Sequence, residues 1–334
     1  MSNLLIGLVS ALVATNQPLA VSNLAVNTTG VSIAVPDLND PVEKEYHRLL
    51  ADDDAAQAEA DKWIRDNQAF AAKGAGVPLE ELNRRIMARF DLVRKAYEDF
   101  LQRHPDHARA RVAYGSFLSD ISDEDGAQAQ WEQALALDPK NPAIYNNLAE
   151  LYAHSGPTRK AFDYYTKAIE LNPREPLYYD NFGTVVYLFR KDAMEYYGIN
   201  EAQVFAKAFE LYSNAMRLDP DNFPLASRVA QTYYAIKPLR TNDALVAWTN
   251  ALNIARDEIE REGVYIHLAR VKMLVGRFDE ARQQLNAVTN EMYADLKRVV
   301  TRSLAERESK AQETNAPPAA TETPIAPPSD TGKK

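Results

Sequence analysis

The chain has 334 residues, a net charge of −9 and no cysteine. The negative charge argues against nucleic acid as a partner, because phosphate binding needs a basic surface, and it also disfavours an anionic membrane surface. The absence of cysteine excludes disulfides, thiol catalysis and thiolate zinc sites. Apolar residues make up 46% of the sequence, which is enough for a continuous hydrophobic core.

Residues 1–40 are unlike the rest of the chain. Residues 4–14 form an apolar run that is too short to span a bilayer but has the length of the apolar region of a secretory signal. Small residues at 20–22 fit a cleavage site, yet no Lys or Arg precedes Lys44. Two interpretations stay open: an export signal within residues 1–22, or an apolar segment that packs against the first helices or stays mobile.

Residues 41–107 are predicted to form a helical N-terminal cap. Asp40 and Pro41 are a good helix start, with Asp as the N-cap and Pro at the first helical position. The helix is expected to end near residue 72, before Gly74. A second helix is predicted over residues 79–103.

Two groups of polar residues in this cap could suggest a metal site. Asp52, Asp53 and Asp54 are consecutive, so on a helix they point in different directions, and we interpret the run as a solvated face. His104 and His107 are separated by a proline and have no third ligand nearby, so we interpret them as turn histidines. We therefore expect no metal in this protein.

A pattern of small and large residues recurs through residues 108–289. In its first copy, small residues such as Gly115 let two helices approach closely, and Tyr114 and Trp131 fill the space between them. The second helix recurs at spacings of 34, 47, 36 and 37 residues, and its last copy is weaker. The five sets are Ala127, Trp131, Ala134 and Pro139; Ala161, Tyr165, Ala168 and Pro173; Ala208, Tyr212, Ala215 and Pro220; Ala244, Trp248, Ala251 and Arg256; and Ala281, Leu285 and Val288.

This pattern resembles the tetratricopeptide repeat family, in which W-x2-L-G-x2-Y, A-x3-F and P recur over 34 residues. The resemblance covers residues 108–289. It implies an all-α fold, a right-handed α-solenoid of five tandem helix-turn-helix repeats, with helical caps at 41–107 and 290–311. The competing interpretation is an ordinary helical bundle with chance periodicity. Residues 312–334 are rich in Ala, Pro and Thr and are predicted to be a disordered tail.

The third repeat contains an insertion at roughly residues 190–200, which explains its longer spacing. Insertions in solenoids lie on one face and often bind partners. We expect an insertion loop with Tyr196 and Tyr197, whose amphipathic side chains are favoured at interfaces. The alternative is that these tyrosines only pack the loop onto the array.

In the tetratricopeptide repeat family, a concave groove is lined chiefly by the first helix of each repeat. The resemblance therefore implies a set of partner-binding positions in this chain. They are Val112, Ser116 and Ser119; Asn146, Asn147, Glu150 and Ala153; Asp180, Asn181, Thr184 and Tyr187; Ser227, Arg228, Gln231 and Tyr234; and Ile266, Arg270 and Met273. These side chains could bind an extended peptide, or they could be ordinary solvated positions. Val112 and Ser116 stand where co-chaperones of this family carry the Lys and Asn that grip a C-terminal carboxylate, so that mechanism is disfavoured.

No catalytic motif is present: the sequence contains no HExxH, P-loop, GxGxxG or GxSxG. His154 and His267 are single histidines on predicted first helices, and we interpret them as structural. We therefore expect no catalytic residues and no cofactor. We expect a scaffold or adaptor that binds a protein or an extended peptide, and we expect it in the cytoplasm. Three alternatives stay open: an exported periplasmic or envelope assembly factor that uses the same groove, an enzyme with a site near residues 190–200, and self-association.

Overall fold

A computed structural model describes residues 40–315, and every regular element among them is a helix. The chain divides into two compact units between Pro220 and Asp221, called here the N-terminal unit and the C-terminal unit. The α-helices of the N-terminal unit are α1 (Pro41–Ala71), α2 (Leu79–Arg103), α3 (Ala108–Asp120), α4 (Glu124–Leu137), α5 (Pro142–Ser155), α6 (Thr158–Leu171), α7 (Pro176–Leu188), α8 (Arg190–Tyr197) and α9 (Glu201–Leu218). Those of the C-terminal unit are α10 (Phe223–Thr232), α11 (Thr241–Asn253), α12 (Glu258–Leu274), α13 (Phe278–Asn286) and α14 (Ala294–Asn315). Short 3-10 helices lie at Tyr233–Ala235 and Glu291–Tyr293.

Helices α1 and α2 begin and end close to the residues that the sequence predicts. The Asp40 side chain accepts a hydrogen bond from the Val42 amide, which caps α1, and Pro41 occupies its first turn. The two helices pack through buried apolar side chains, among them Tyr46, Ile64 and Phe90. This hairpin lies against the start of the repeat array through α3.

Small residues set the distance between the paired helices of each hairpin, as expected. A Cβ atom added at Gly115 on α3 would lie 2.6 Å from Cδ1 of Trp131 on α4, so only glycine fits. The Trp131 indole N–H donates to the Val112 carbonyl at 3.2 Å. Gly183 on α7 faces Tyr212 on α9 in the same way. These contacts confirm the all-α class built from tandem helix-turn-helix pairs.

The insertion at residues 190–200 is a short helix, α8, and not the loop expected from the sequence. It ends at Gly198, whose φ of 64° lies in the left-handed region where glycine carries no steric penalty. Helix α8 contacts α6 and α9, so the insertion is folded onto the array. Asn200 and Gln203 then form a capping box at the start of α9.

In the C-terminal unit, α10 pairs with α11, and α12 pairs with α13. The buried carboxylate of Glu262 on α12 accepts hydrogen bonds from the Thr289 hydroxyl at 2.8 Å and the Asn290 amide at 2.7 Å. These bonds hold the segment that leads into α14. Val300 and Leu304 of α14 pack into the same core as Leu285.

Some predictions concern residues beyond those described. The predicted export signal within residues 1–22 lies outside them, as does the tail from residue 316 onward. The C-terminal helix, expected to end at 311, continues to Asn315. Among the described residues, no helix combines the length and the apolarity needed to cross a membrane.

Candidate functional site

A row of polar side chains connects the first helices of three hairpins in the N-terminal unit. Asn147 on α5 donates a hydrogen bond to the Ser116 hydroxyl on α3 at 3.3 Å. Asn146 donates to the Asn147 side-chain oxygen at 3.4 Å, and Asn181 on α7 donates to the Asn146 oxygen at 3.2 Å. We call these four residues the amide ladder. The structure thus brings together four predicted groove residues, and their polar groups already have partners within the protein.

The other predicted groove residues of this unit differ in exposure. Glu150 is exposed, whereas Asp180 is buried. The Thr184 hydroxyl accepts a hydrogen bond from the Tyr212 hydroxyl at 3.2 Å. The Tyr187 ring contacts Phe205 and is half-buried. Ser119 and Glu150 are the exposed members of this set, whereas Ala153 is buried, so the prediction that it lines a groove is wrong.

One register position recurs on the first helices of both units. On each first helix, a small residue such as Ala149 packs against the second helix of the same hairpin, and the position in question is the residue directly after it. We call this set the outward row, and it comprises Ser116, Glu150, Thr184, Gln231 and Arg270. The small residues before them, such as Ala149 and Ala269, are fully buried, and the next side chain lies about 100° further around the helix. Glu150, Gln231 and Arg270 are consequently exposed.

The run of three aspartates on α1 is not a uniformly solvated face, so that interpretation needs correction. Asp52 forms an ion pair with Arg89 at 2.7 Å, but Asp53 points inward and accepts a hydrogen bond from the buried Tyr97 hydroxyl at 2.7 Å. Burial raises the pKa of Asp53 to about 6. Helical periodicity could have shown this, because Asp53 lies four residues after Leu49 and three before Ala56, both buried.

Asp120, at the end of α3, is a second carboxyl group that sequence reasoning missed. Although the residue as a whole is exposed, loss of hydration around its carboxyl group raises its pKa to about 6, and the neighbouring carboxylates of Asp53 and Glu150 add to that increase. At neutral pH these carboxylates repel one another.

The insertion tyrosines pack against helix α6. The Tyr196 hydroxyl donates to the Asp163 carboxylate, and the rings of Tyr196 and Tyr197 lie 5.1 Å and 5.8 Å from the Phe162 ring. Lys207 on α9 lies 4.6 Å from the Tyr197 ring centre. Both tyrosines are half-buried, so much of their surface is used in holding α8 in place.

In the C-terminal unit, three aromatic side chains from separate segments meet. The His267 ring stacks on the Trp248 indole at 4.1 Å with an angle of 6° between the planes. The Tyr234 hydroxyl lies 3.2 Å from Nδ1 of His267, and the Arg270 guanidinium lies 5.1 Å from the Tyr234 ring centre. Burial, together with the charge of Arg270, lowers the pKa of His267 to about 4. His267 is thus neutral near pH 7, in a cluster that its isolation in the sequence did not suggest.

Two of the groove residues predicted for this unit, Ile266 and Met273 on α12, are buried, so the prediction that they line a groove is wrong.

The other predicted residues of this unit lie on α10 and in the 3-10 helix that follows it. Ser227 and Arg228 are half-buried, and Gln231 is exposed near the end of the helix. Tyr234 follows in the 3-10 helix and is the member of this group that contacts Arg270. The structure therefore brings Tyr234 and Arg270 together, although 36 residues separate them.

Comparisons with known proteins agree with the repeat pattern. A family profile described as TPR repeat matches residues 123–156, and one described as tetratricopeptide repeat matches residues 142–175. The chain is 30% identical over 128 residues to the photosystem I assembly protein Ycf3 of Rippkaea orientalis, a match that covers 36% of this chain and 74% of that relative. It is 31% identical over 129 residues to Ycf3 of Synechococcus sp. strain WH7803, with the same coverage. Among solved structures, Pseudomonas aeruginosa PilF is similar with a TM-score of 0.48 and 17% identity, over 79% of this chain and 99% of that one.

Proposed function

This chain belongs to the tetratricopeptide repeat family, and on that premise we propose that it is a non-enzymatic scaffold that binds a protein or extended peptide through the first helices of its repeats. The outward row carries the proposal. Its exposed members Glu150, Gln231 and Arg270 stand at one register position, and each follows a fully buried alanine. A partner that lies across the first helices of either unit meets these side chains.

The amide ladder supports the same role in the N-terminal unit. Its hydrogen bonds fix the relative positions of α3, α5 and α7, so the polar surface is organised before a partner arrives. A preorganised surface reduces the entropy lost on binding. The ladder residues position the surface, and exposed neighbours such as Glu150 make the contact.

The likeness to Ycf3 favours an assembly factor as the specific kind of scaffold. Those relatives are named for the assembly of photosystem I. For this chain we propose the coarser role of holding a protein partner while a complex is built. The exported form of this proposal predicts a mature N-terminus near residue 22, and a mass spectrum of the native protein that begins at residue 1 contradicts it.

Affinity capture from native lysate with mass spectrometry tests the proposal. The outward-row variant combines Glu150→Ala, Gln231→Ala and Arg270→Ala. Its matched control removes the same three residue types from other exposed positions, with Glu170→Ala, Gln133→Ala and Arg277→Ala. We expect the same protein to be captured by the wild type and the control and to be lost with the outward-row variant. Capture that survives in the outward-row variant contradicts the proposal.

A further inference from the structure

Arg270 differs from the other arginines of residues 241–290. Each of the other four lies within ion-pair distance of a carboxylate. Those pairs are Arg256–Glu260, Arg261–Glu258, Arg277–Glu280 and Arg282–Asp279. Arg270 is exposed and has no carboxylate at such a distance within the described part of the chain. In a protein with a net charge of −9, an arginine without an acidic neighbour is notable.

The position of Arg270 is fixed by aromatic contacts. Its guanidinium lies 5.1 Å from the Tyr234 ring centre, within the range of a cation–π contact. The Tyr234 ring is itself held by His267 through the 3.2 Å contact of its hydroxyl, and His267 is stacked on Trp248. A guanidinium supported on one face keeps the N–H groups at its edge free, in the planar arrangement that matches a carboxylate.

The charge that acts on the Tyr234 and His267 rings is that of Arg270 itself. Burial raises the pKa of Tyr234 to about 12, and the Arg270 charge acts in the opposite direction. The same charge contributes to the lowered pKa of His267. Neither pKa carries a contribution from a carboxylate of the described residues, in contrast to those of Tyr165 and Tyr178, which burial raises and neighbouring carboxylates raise further. The cluster therefore lacks the negative charge that its arginine could bind.

We infer that Tyr234 and Arg270 form a binding site for a glutamate or aspartate side chain, and that the C-terminal unit thereby selects an acidic segment of the partner protein. The inference rests on the proposed scaffold function and names the partner chemistry at one end of the chain. The carboxylate binds the guanidinium edge through two parallel hydrogen bonds, and Tyr234 holds the guanidinium in place.

Two blocked peptides test the site by fluorescence anisotropy on the full chain. Both carry an N-terminal fluorophore and a C-terminal amide; one alternates alanine and glutamate over eight residues, and the other has glutamine at each glutamate position. We expect the wild type to bind the glutamate peptide about tenfold more tightly than the glutamine peptide, because a bidentate charge-assisted pair strengthens binding by roughly that factor. Arg270→Gln should abolish this preference, while Arg277→Gln, which removes an exposed arginine with its own carboxylate, should retain it.

A third peptide separates side-chain from terminal carboxylates. It has the glutamine sequence with a free C-terminal carboxylate, and tighter binding of this peptide than of the glutamate peptide overturns the assignment. Equal binding of the glutamate and glutamine peptides by the wild type, or an unchanged preference in Arg270→Gln, overturns it as well. The two proposals can fail separately. If the outward-row variant loses the captured partner but the wild type shows no preference for the glutamate peptide, the scaffold proposal stands and only this inference is rejected.

Discussion

Asn181 on α7 donates a hydrogen bond to the side-chain oxygen of Asn146 on α5, and Asn146 is only 4% exposed. The two residues are 35 positions apart in the chain, so the bond joins consecutive hairpins. Water has little access to the Asn146 side chain, and its oxygen depends on Asn181 for this hydrogen bond. The amide ladder therefore contributes to the stability of the N-terminal unit and also organises its surface.

Replacing Asn181 with alanine should destabilise the protein by about 1–3 kcal/mol, because a buried acceptor loses its donor. Chemical unfolding monitored by circular dichroism measures the change. The Asn146→Ala and Asn181→Ala double variant should lose less than the sum of the single variants. Additive losses would show that the ladder bond contributes nothing.

Gly115→Ala should also destabilise the protein, by about 1–3 kcal/mol, since the added methyl group overpacks the contact with Trp131. Ser119→Ala on the same helix is the control, because Ser119 is exposed and its replacement should change stability by less than about 0.5 kcal/mol. Thermal unfolding compares the two variants. Equal melting temperatures for both would contradict the close approach of α3 and α4.

Asp53 and Asp120 should contribute more to the stability of the folded protein as the pH falls from 7 towards 5. The pKa values of Asp53 and Asp120 are raised to about 6 in the folded protein, above the ordinary value of 3.8. The folded state therefore binds these protons more tightly than the unfolded state, and protonation favours folding. His267 acts in the opposite direction, because its pKa is lowered to about 4.

The Asp120→Asn variant separates the contribution of the carboxyl groups to pH-dependent stability from that of His267. Asp120→Asn should melt at a higher temperature than the wild type at pH 7.5, since one repelling charge is gone, and this advantage should shrink at pH 5.5. Melting curves at the two pH values give the result. An advantage that stays constant or grows towards pH 5.5 would contradict the raised pKa of Asp120.

Glu262→Gln should destabilise the C-terminal unit. The carboxylate accepts two hydrogen bonds from residues 289 and 290, and the backbone bond to Asn290 is the main cause of its lowered pKa. Its contribution is present above the ordinary pKa of 4.5 and is lost as the pH falls below it. Hydrogen exchange of the α14 amides should accelerate in Glu262→Gln and not in the exposed control Glu258→Gln; equal exchange in both variants would contradict this role.

The fold could be predicted from the sequence because small and large residues such as Gly115 and Trp131 recur at helical spacing, and hairpins of this kind must stack to bury their apolar faces. The amide ladder could not, since a bond such as Asn181–Asn146 depends on how consecutive hairpins are aligned. The cluster of Tyr234, Trp248 and His267 was also missed, because three separate segments must fold before these rings meet.

The affinity of the captured partner tests the central claim most directly. Isothermal titration calorimetry would compare the wild type, the outward-row variant and the matched control. If Glu150, Gln231 and Arg270 contact the partner, we expect the Kd of the outward-row variant to rise about 100-fold, which corresponds to roughly 1 kcal/mol for each residue removed, and the control to stay within about twofold of the wild type. An outward-row variant that binds as tightly as the control would contradict the proposal that these three side chains contact the partner.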